Sequence, residues 1–184
     1  LPDLTFAASR TIDAVVHVKN TSIVGESDSW ALQFFYGDDS KKKVGTGSGV
    51  IISPDGYIIT NYHVIENVTY ADCYQGGRSE QKQSIKGILA VDKFQDLALL
   101  YVENLNATIV PLSDLKALPG IEVFVISSPD GLSATITRGI VSALRSSSNR
   151  ELIQMDASVS PGSSGGPVFN AAGEVIGIVV SKMV

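Results

Sequence analysis

The sequence holds one cysteine, Cys73, in 184 residues. No internal disulfide and no multi-cysteine metal site can be built from it, and a lone cysteine assigns no compartment. Histidine is almost as scarce, with only His17 and His63. No apolar run approaches the roughly 18 residues that a membrane helix needs. The longest, Gly49 to Ile52 and Ile176 to Val180, are strand-sized, so no membrane span is expected. A basic excess is missing too: 14 Lys and Arg stand against 19 Asp and Glu, a formal charge of −5. Nucleic-acid binders carry a basic face, so no such partner is expected. The one basic run, Lys41-Lys42-Lys43, follows Asp38 and Asp39 and reads as a solvated loop.

What is present is enough apolar material for a core, with 44% hydrophobic residues and 18% charged. The 17 glycines and 7 prolines favour turns over long helices. Beginning at Leu1 rather than Met, the chain is expected to have lost a leader or a longer natural N-terminus. Leu4 to Asp13 reads as one N-terminal helix, and His63 to Val68 as one turn. The rest reads as short β-rich runs: Ala14 to Lys19, Trp30 to Tyr36, Gly49 to Ile52 and Tyr57 to Thr60 in the first half. Ser84 to Val91 and Leu97 to Val102 follow there. Further runs lie at Glu122 to Ser127, Ala134 to Leu144, Glu151 to Asp156, Gly166 to Phe169 and Glu174 to Ser181. Ser53-Pro54-Asp55-Gly56 is turn chemistry between two apolar runs and predicts a hairpin. Many turn-punctuated strands indicate an all-β sandwich or barrel, and Leu105 to Gly120, with Pro111, Pro119 and Gly120, divides the strands into two halves.

Pro161-Gly162-Ser163-Ser164-Gly165-Gly166-Pro167 sets two serines among three glycines, between apolar runs. Acyl transfer needs backbone N–H groups bare of side chains around a nucleophile, and glycine supplies the unusual dihedrals that turn them outward. A serine also needs a base. His17 lies within Val16-His17-Val18 and is expected to be structural, which leaves His63. An imidazole needs an orienting carboxylate. Asp96 opens the apolar run Leu97-Ala98-Leu99-Leu100, whereas Asp92 is expected to brace its loop. His63, Asp96 and Ser164 in that order follow the chain order of chymotrypsin-like enzymes. No metal-ligand cluster is visible, and no cofactor is expected.

At these segments the chain resembles the HtrA (DegP-like) serine proteases. The likeness rests on Gly45 to Ile52, Gly56 to Val64, Asp96 to Leu100, Thr137 to Ser142, Asp156 to Pro167 and Gly173 to Ile178. It covers roughly Val15 to Val180, with the motifs in family order. The resemblance implies an all-β chymotrypsin-like fold of two perpendicular six-stranded β-barrels in one protease domain, residues 1–184. The N-terminal barrel would cover about 14–104, a linker about 105–120 and the C-terminal barrel about 121–184. It makes His63 the general base, Asp96 its orienter and Ser164 the nucleophile, with oxyanion-hole N–H groups from Gly162 and Ser164, assisted by Ser163. It places Ser158, Val159, Ser160 and Pro161 along one wall of the pocket for the residue before the scissile bond. No Asp or Glu lies among them, so small or medium apolar residues are expected there rather than Lys or Arg.

Asp156 is expected to be structural. Val180, Ser181 and Lys182 are expected to present a backbone edge to an extended polypeptide substrate. A homotrimer, through an N-terminal segment matching Leu1 to Arg10, and an extracytoplasmic location are further implications of the resemblance. Ser163 stands where the family usually has Asn, and Tyr62 where a small Ala is common. One further strand would complete the second barrel, and family members usually carry a PDZ domain beyond it. The second barrel is therefore expected to be incomplete, with Val180 to Val184 mobile or displaced. The alternative to an active endopeptidase is a catalytically silent domain of this fold that binds extended peptides.

Overall fold

The computed structural model describes residues 3–23, 42–75, 82–105, 108–128, 134–147 and 150–180. Asp3 caps helix α1 (Leu4–Thr11), its carboxylate accepting the Thr5 N–H at 2.9 Å. The helix tightens into a 3₁₀ turn, Ile12–Ala14, and runs straight into β1 (Val15–Ile23). Then come β2 (Lys42–Ile51), β3 (Tyr57–Thr60), the one-turn helix α2 (Tyr62–Ile65), β4 (Tyr70–Gln75) and β5 (Lys82–Ser84). After them the chain forms β6 (Gly87–Asp92), β7 (Leu97–Tyr101), β8 (Glu122–Ser127) and β9 (Thr135–Ser147). It finishes with β10 (Arg150–Met155), β11 (Pro167–Asn170) and β12 (Val175–Ile178).

The first sheet has the order β5-β4-β1-β2-β3-β7-β6. Its two ends are consecutive in the chain: only Ile85 and Lys86 separate β5 from β6, and their N–H groups bond to Ala71 and to Tyr101 on opposite sides. The sheet therefore closes, and with β5 and β6 taken as one bent strand it is the six-stranded barrel that was expected. Among the described residues the second sheet, β10-β9-β8-β11-β12, has five strands and stays open between β10 and β12. Among the described residues no helix is long and apolar enough to cross a membrane.

The hairpin between β2 and β3 forms as expected. Gly56 holds φ +89°, and a Cβ there would sit 1.9 Å from the Val102 oxygen, so only glycine fits. The Lys41–Lys43 run differs from the loop reading, because Lys42 and Lys43 already belong to β2 and pair with Ile23 and Ser22. Strand β4 went unforeseen, since Asp72 interrupts its apolar pattern; in the fold Asp72 is buried beside Lys82 at 3.0 Å. The candidate strand at Trp30 to Tyr36 lies outside the described residues.

Strand alternation sends β1 into two cores at once. Val16 and Val18 join Ile51, Ile58, Leu100 and Cys73 inside the closed barrel. Val15, with Val50, packs against Phe124, Ile126 and Phe169 of the second lobe, with Ala7 and Ala8 of α1 closing the seam. The two lobes thus share one apolar interface. The Cys73 thiol is fully buried, and burial pushes its pKa up to about 12, so it stays protonated and inert.

His17 lies on β1, opposite Ser48 of β2 and 6.0 Å from the Tyr74 ring. Burial is the main cause that lowers its pKa below the ordinary 6.5. The unfolded chain then takes up that proton more readily than the native one. The stability contribution is whole above pH 6.5 and is lost as pH falls through 6.5 toward the lowered native value. We expect His17→Gln to lose less stability than the wild type when urea melts are taken from about pH 7 to 5. Parallel pH–stability curves for the two proteins would contradict this.

Candidate active site

Asp96 is built to aim its side chain. It sits at the tight turn before β7 in the left-handed region, φ +57°, which Asp tolerates better than most residues. Its carbonyl accepts the Tyr62 N–H at 3.1 Å and the Asn61 Nδ2–H at 3.0 Å. Its carboxylate faces α2: Oδ1 accepts the His63 backbone N–H at 2.9 Å, and Oδ2 lies 2.6 Å from His63 Nδ1. Helix α2 is held in turn by Asn20 of β1, whose side chain donates to the Val64 carbonyl and accepts the Gly45 N–H at 3.0 Å. The carboxylate side chain is 21% exposed and the imidazole 39%, so the ring stands outward of the group that orients it. With Nδ1 on Asp96, Nε2 is the ring nitrogen on the opposite, outer edge. Asp92, as expected, braces the loop by accepting the Gln95 N–H at 2.9 Å.

Ser164 sits on two successive turns. In the first, Ser163 N–H bonds to Ser160 C=O at 2.9 Å, with Pro161 and Gly162 (φ +89°) between them. Proline followed by a positive-φ glycine makes this a type II turn, which sets the Pro161–Gly162 peptide opposite to its sense in a type I turn. In the second, Gly166 N–H bonds to Ser163 C=O at 2.9 Å around Ser164 and Gly165 (φ +86°). Ser163 is buried: its N–H is used in the first turn, and its hydroxyl lies 3.0 Å from Ser127 Oγ and accepts the Ser160 N–H at 3.3 Å.

Ser48, on β2 of the first lobe, grips this loop. Its N–H donates to the Ser164 carbonyl and its hydroxyl to the Gly162 carbonyl, both at 2.8 Å. The hydroxyl also accepts the Ser128 N–H at 3.0 Å, and the Ser48 carbonyl accepts the Thr60 hydroxyl at 2.7 Å. Next to it, a Cβ on Gly47 would stand 2.7 Å from Val64 and 3.1 Å from the Ser164 oxygen. Gly47 is the point at which the segment following His63 and the backbone of Ser164 meet. Sequence reasoning missed Ser48 as a site residue; its one signal was the glycine-rich Gly45-Thr46-Gly47-Ser48-Gly49 run.

Beside the loop is a cavity of about 320 Å³ along the open face of the second lobe. Val159, Val168, Ile176, Val179 and Val180 line it, with Arg150 and Glu151 of β10 at one side. Ser158, Ser160 and Pro161 are exposed, and Ser181 and Lys182 lie outside the described residues, as does most of the segment expected to be mobile. Val180, its first residue, is partly buried in the cavity wall. Asp156 is structural as expected, accepting the Ile140 N–H at 2.6 Å. Among the described residues no group of three or more His, Cys, Asp or Glu could hold a metal ion.

The profile of the trypsin-like peptidase domain matches residues 47–178. A protein named as a probable periplasmic serine endoprotease DegP-like from Marinomonas sp. is 35% identical over 97% of this chain and 44% of its own length. One of the same name from Pseudomonas fluorescens is 43% identical over 77% of this chain and 30% of its own. The chain thus spans less than half of these relatives. Among solved structures, an HtrA-type protease, AlgW with a tripeptide, superposes with a TM-score of 0.78 at 28% identity, over 96% of this chain and 54% of that one. A serine endoprotease from Yersinia pestis gives a TM-score of 0.74 at 28% identity, over 97% and 57%.

Two glycines in positive φ separate backbone strain from site geometry. A Cβ on Gly165 would lie 2.1 Å from the Ser48 oxygen, whereas one on Gly120 (φ +90°) meets nothing within 4 Å. We expect Gly120→Ala to cost about 1 kcal/mol and Gly165→Ala about 3 kcal/mol or more in urea melts. Equal losses would show that the Ser48 contact does not constrain the loop.

Proposed function

The chain belongs to the trypsin-like peptidase domain family, and from that premise we propose that it is the protease domain of an HtrA-type serine endopeptidase. The observations that carry the proposal are the double attachment of the Asp96 carboxylate to His63, through the backbone N–H and Nδ1, and the serine loop gripped by Ser48. In this reading Ser164 Oγ attacks the scissile carbonyl carbon while its proton passes to His63 Nε2. The C–N bond breaks, His63 returns that proton to the leaving amine, and the acyl group remains on Ser164. Water then adds, losing a proton to His63, and Ser164 leaves as the hydroxyl with that proton. Asp96 holds the ring orientation and stabilises the imidazolium that forms.

The negative charge on the tetrahedral oxygen needs at least two N–H donors. We assign these to Gly162 and Ser164. The type II turn gives Gly162 the peptide orientation for this, and the commitment of Ser163 N–H to Ser160 argues against its assistance. The substrates are unfolded or extended polypeptides, cleaved after small or medium apolar residues. The valine-lined cavity beside Val159 supports that preference, and from the family resemblance we assign Val180, Ser181 and Lys182 to the binding of an extended peptide. An extracytoplasmic setting follows the naming of the relatives as periplasmic, and a homotrimer follows the family resemblance.

A fluorophosphonate probe tests the reading, because an assembled triad labels rapidly and a silent peptide-binding domain does not. Ser164→Ala is expected to abolish labelling and peptide hydrolysis with the fold intact. Ser163→Ala leaves the buried Ser127 hydroxyl without that partner and is expected to slow labelling by about tenfold while retaining it. Full labelling of Ser164→Ala together with none of Ser163→Ala would overturn the assignment of the nucleophile.

A further inference from the structure

The two lobes touch at a second point close to the triad. Arg150, the first residue of β10, lies at the edge of the open sheet, and its Nη2 donates to the Gln95 carbonyl at 3.2 Å. That carbonyl belongs to the peptide that precedes Asp96. The peptide that follows Asp96 is held by the first lobe, through Tyr62 N–H and Asn61 Nδ2 on the Asp96 carbonyl. Both peptide planes flanking the Asp96 Cα are therefore pinned, one by each lobe. The two planes define φ and ψ of Asp96, and hence where its carboxylate points. The pinning matters because φ is +57°, a region a non-glycine residue leaves readily when its neighbours allow it. Rotation of the Gln95–Asp96 peptide would release φ, and it would break the bond to Arg150.

Other features of Arg150 agree with a positioning role. Among the described residues it forms no ion pair with a carboxylate, so its charge is directed at a main-chain oxygen. It also lines the cavity of the open lobe together with Gln95 and Leu97, the two residues next to Asp96 on either side.

We propose that Arg150 is a positioning residue for the His63–Asp96 pair: from the edge of the second lobe it fixes the peptide that sets the direction of the Asp96 carboxylate. The proposal rests on the triad reading above. It acts through Asp96 rather than on the reacting atoms.

The test compares Arg150→Met, which keeps the apolar stem, with Arg150→Lys, which keeps a cation able to reach one carbonyl. Three quantities are read on the whole chain: the fluorophosphonate labelling rate, the far-downfield proton resonance of His63 Nδ1–H, and the thermal midpoint. The Met variant is expected to label about tenfold more slowly, the scale of one charge-assisted hydrogen bond. Its Nδ1–H resonance broadens or shifts, its midpoint stays within about 2 °C of the wild type, and Lys restores most of both losses. A Met variant with wild-type rate and unchanged resonance overturns the proposal, as does a parallel fall in midpoint in both variants without recovery by Lys. If the wild type itself fails to label, the peptidase reading fails; the resonance still decides the role of Arg150, since it reports the His63–Asp96 contact without any reaction at Ser164.

Discussion

Every polar group of Ser48 is used, and the serine is completely buried where the two lobes meet. Its N–H and hydroxyl hold two carbonyls of the Ser164 loop, its hydroxyl accepts from Ser128, and its carbonyl accepts from Thr60. A buried hydroxyl and a buried peptide carry a large desolvation cost unless paired, so this arrangement is formed whole or is strongly unfavourable. The apolar seam of Val15, Val50, Phe124 and Phe169 holds the lobes together without direction. The Ser48 bonds supply the direction, and set the loop on the closed barrel that carries His63 and Asp96.

The glycines follow from the same constraint. Gly165 must take a positive φ and also leave room for the Ser48 oxygen, and Gly47 must admit both Val64 and the Ser164 carbonyl. The glycine-rich segments on β2 and around Ser164 are therefore two halves of one close approach of backbones. Among the described residues the first barrel is closed and the second is open, and the histidine–aspartate pair is carried by the closed one. The open lobe contributes the serine loop and, through Arg150, one contact back to the Gln95 carbonyl that precedes the aspartate.

Much of this was readable in the sequence where the information is local. Glu122 to Ser127 formed the strand at the bounds expected for it, and Ser53 to Gly56 made the expected hairpin turn. His63, Asp96 and Ser164 could be named as candidates because the residue types occur in an order that the chemistry uses. Strand β4 was not readable, since the burial of Asp72 depends on Lys82 across the hairpin. Nor was the use of Ser163: only the turn type reveals that its N–H is occupied and its hydroxyl buried. Ser48 escaped for a related reason. Its partners Gly162 and Ser128 are 114 and 80 residues away, and no local pattern encodes bonds across that separation.

The central claim is that bonds from a serine of the first lobe assemble the proposed nucleophile loop carried by the second. Its most direct test is the rate of fluorophosphonate labelling in Ser48→Ala, with the folded state monitored in the same sample. Loss of the hydroxyl leaves the Gly162 carbonyl and the Ser128 N–H buried without that partner, and labelling should slow by at least about tenfold while the sheets persist. Labelling at the wild-type rate in a folded Ser48→Ala protein would contradict the account.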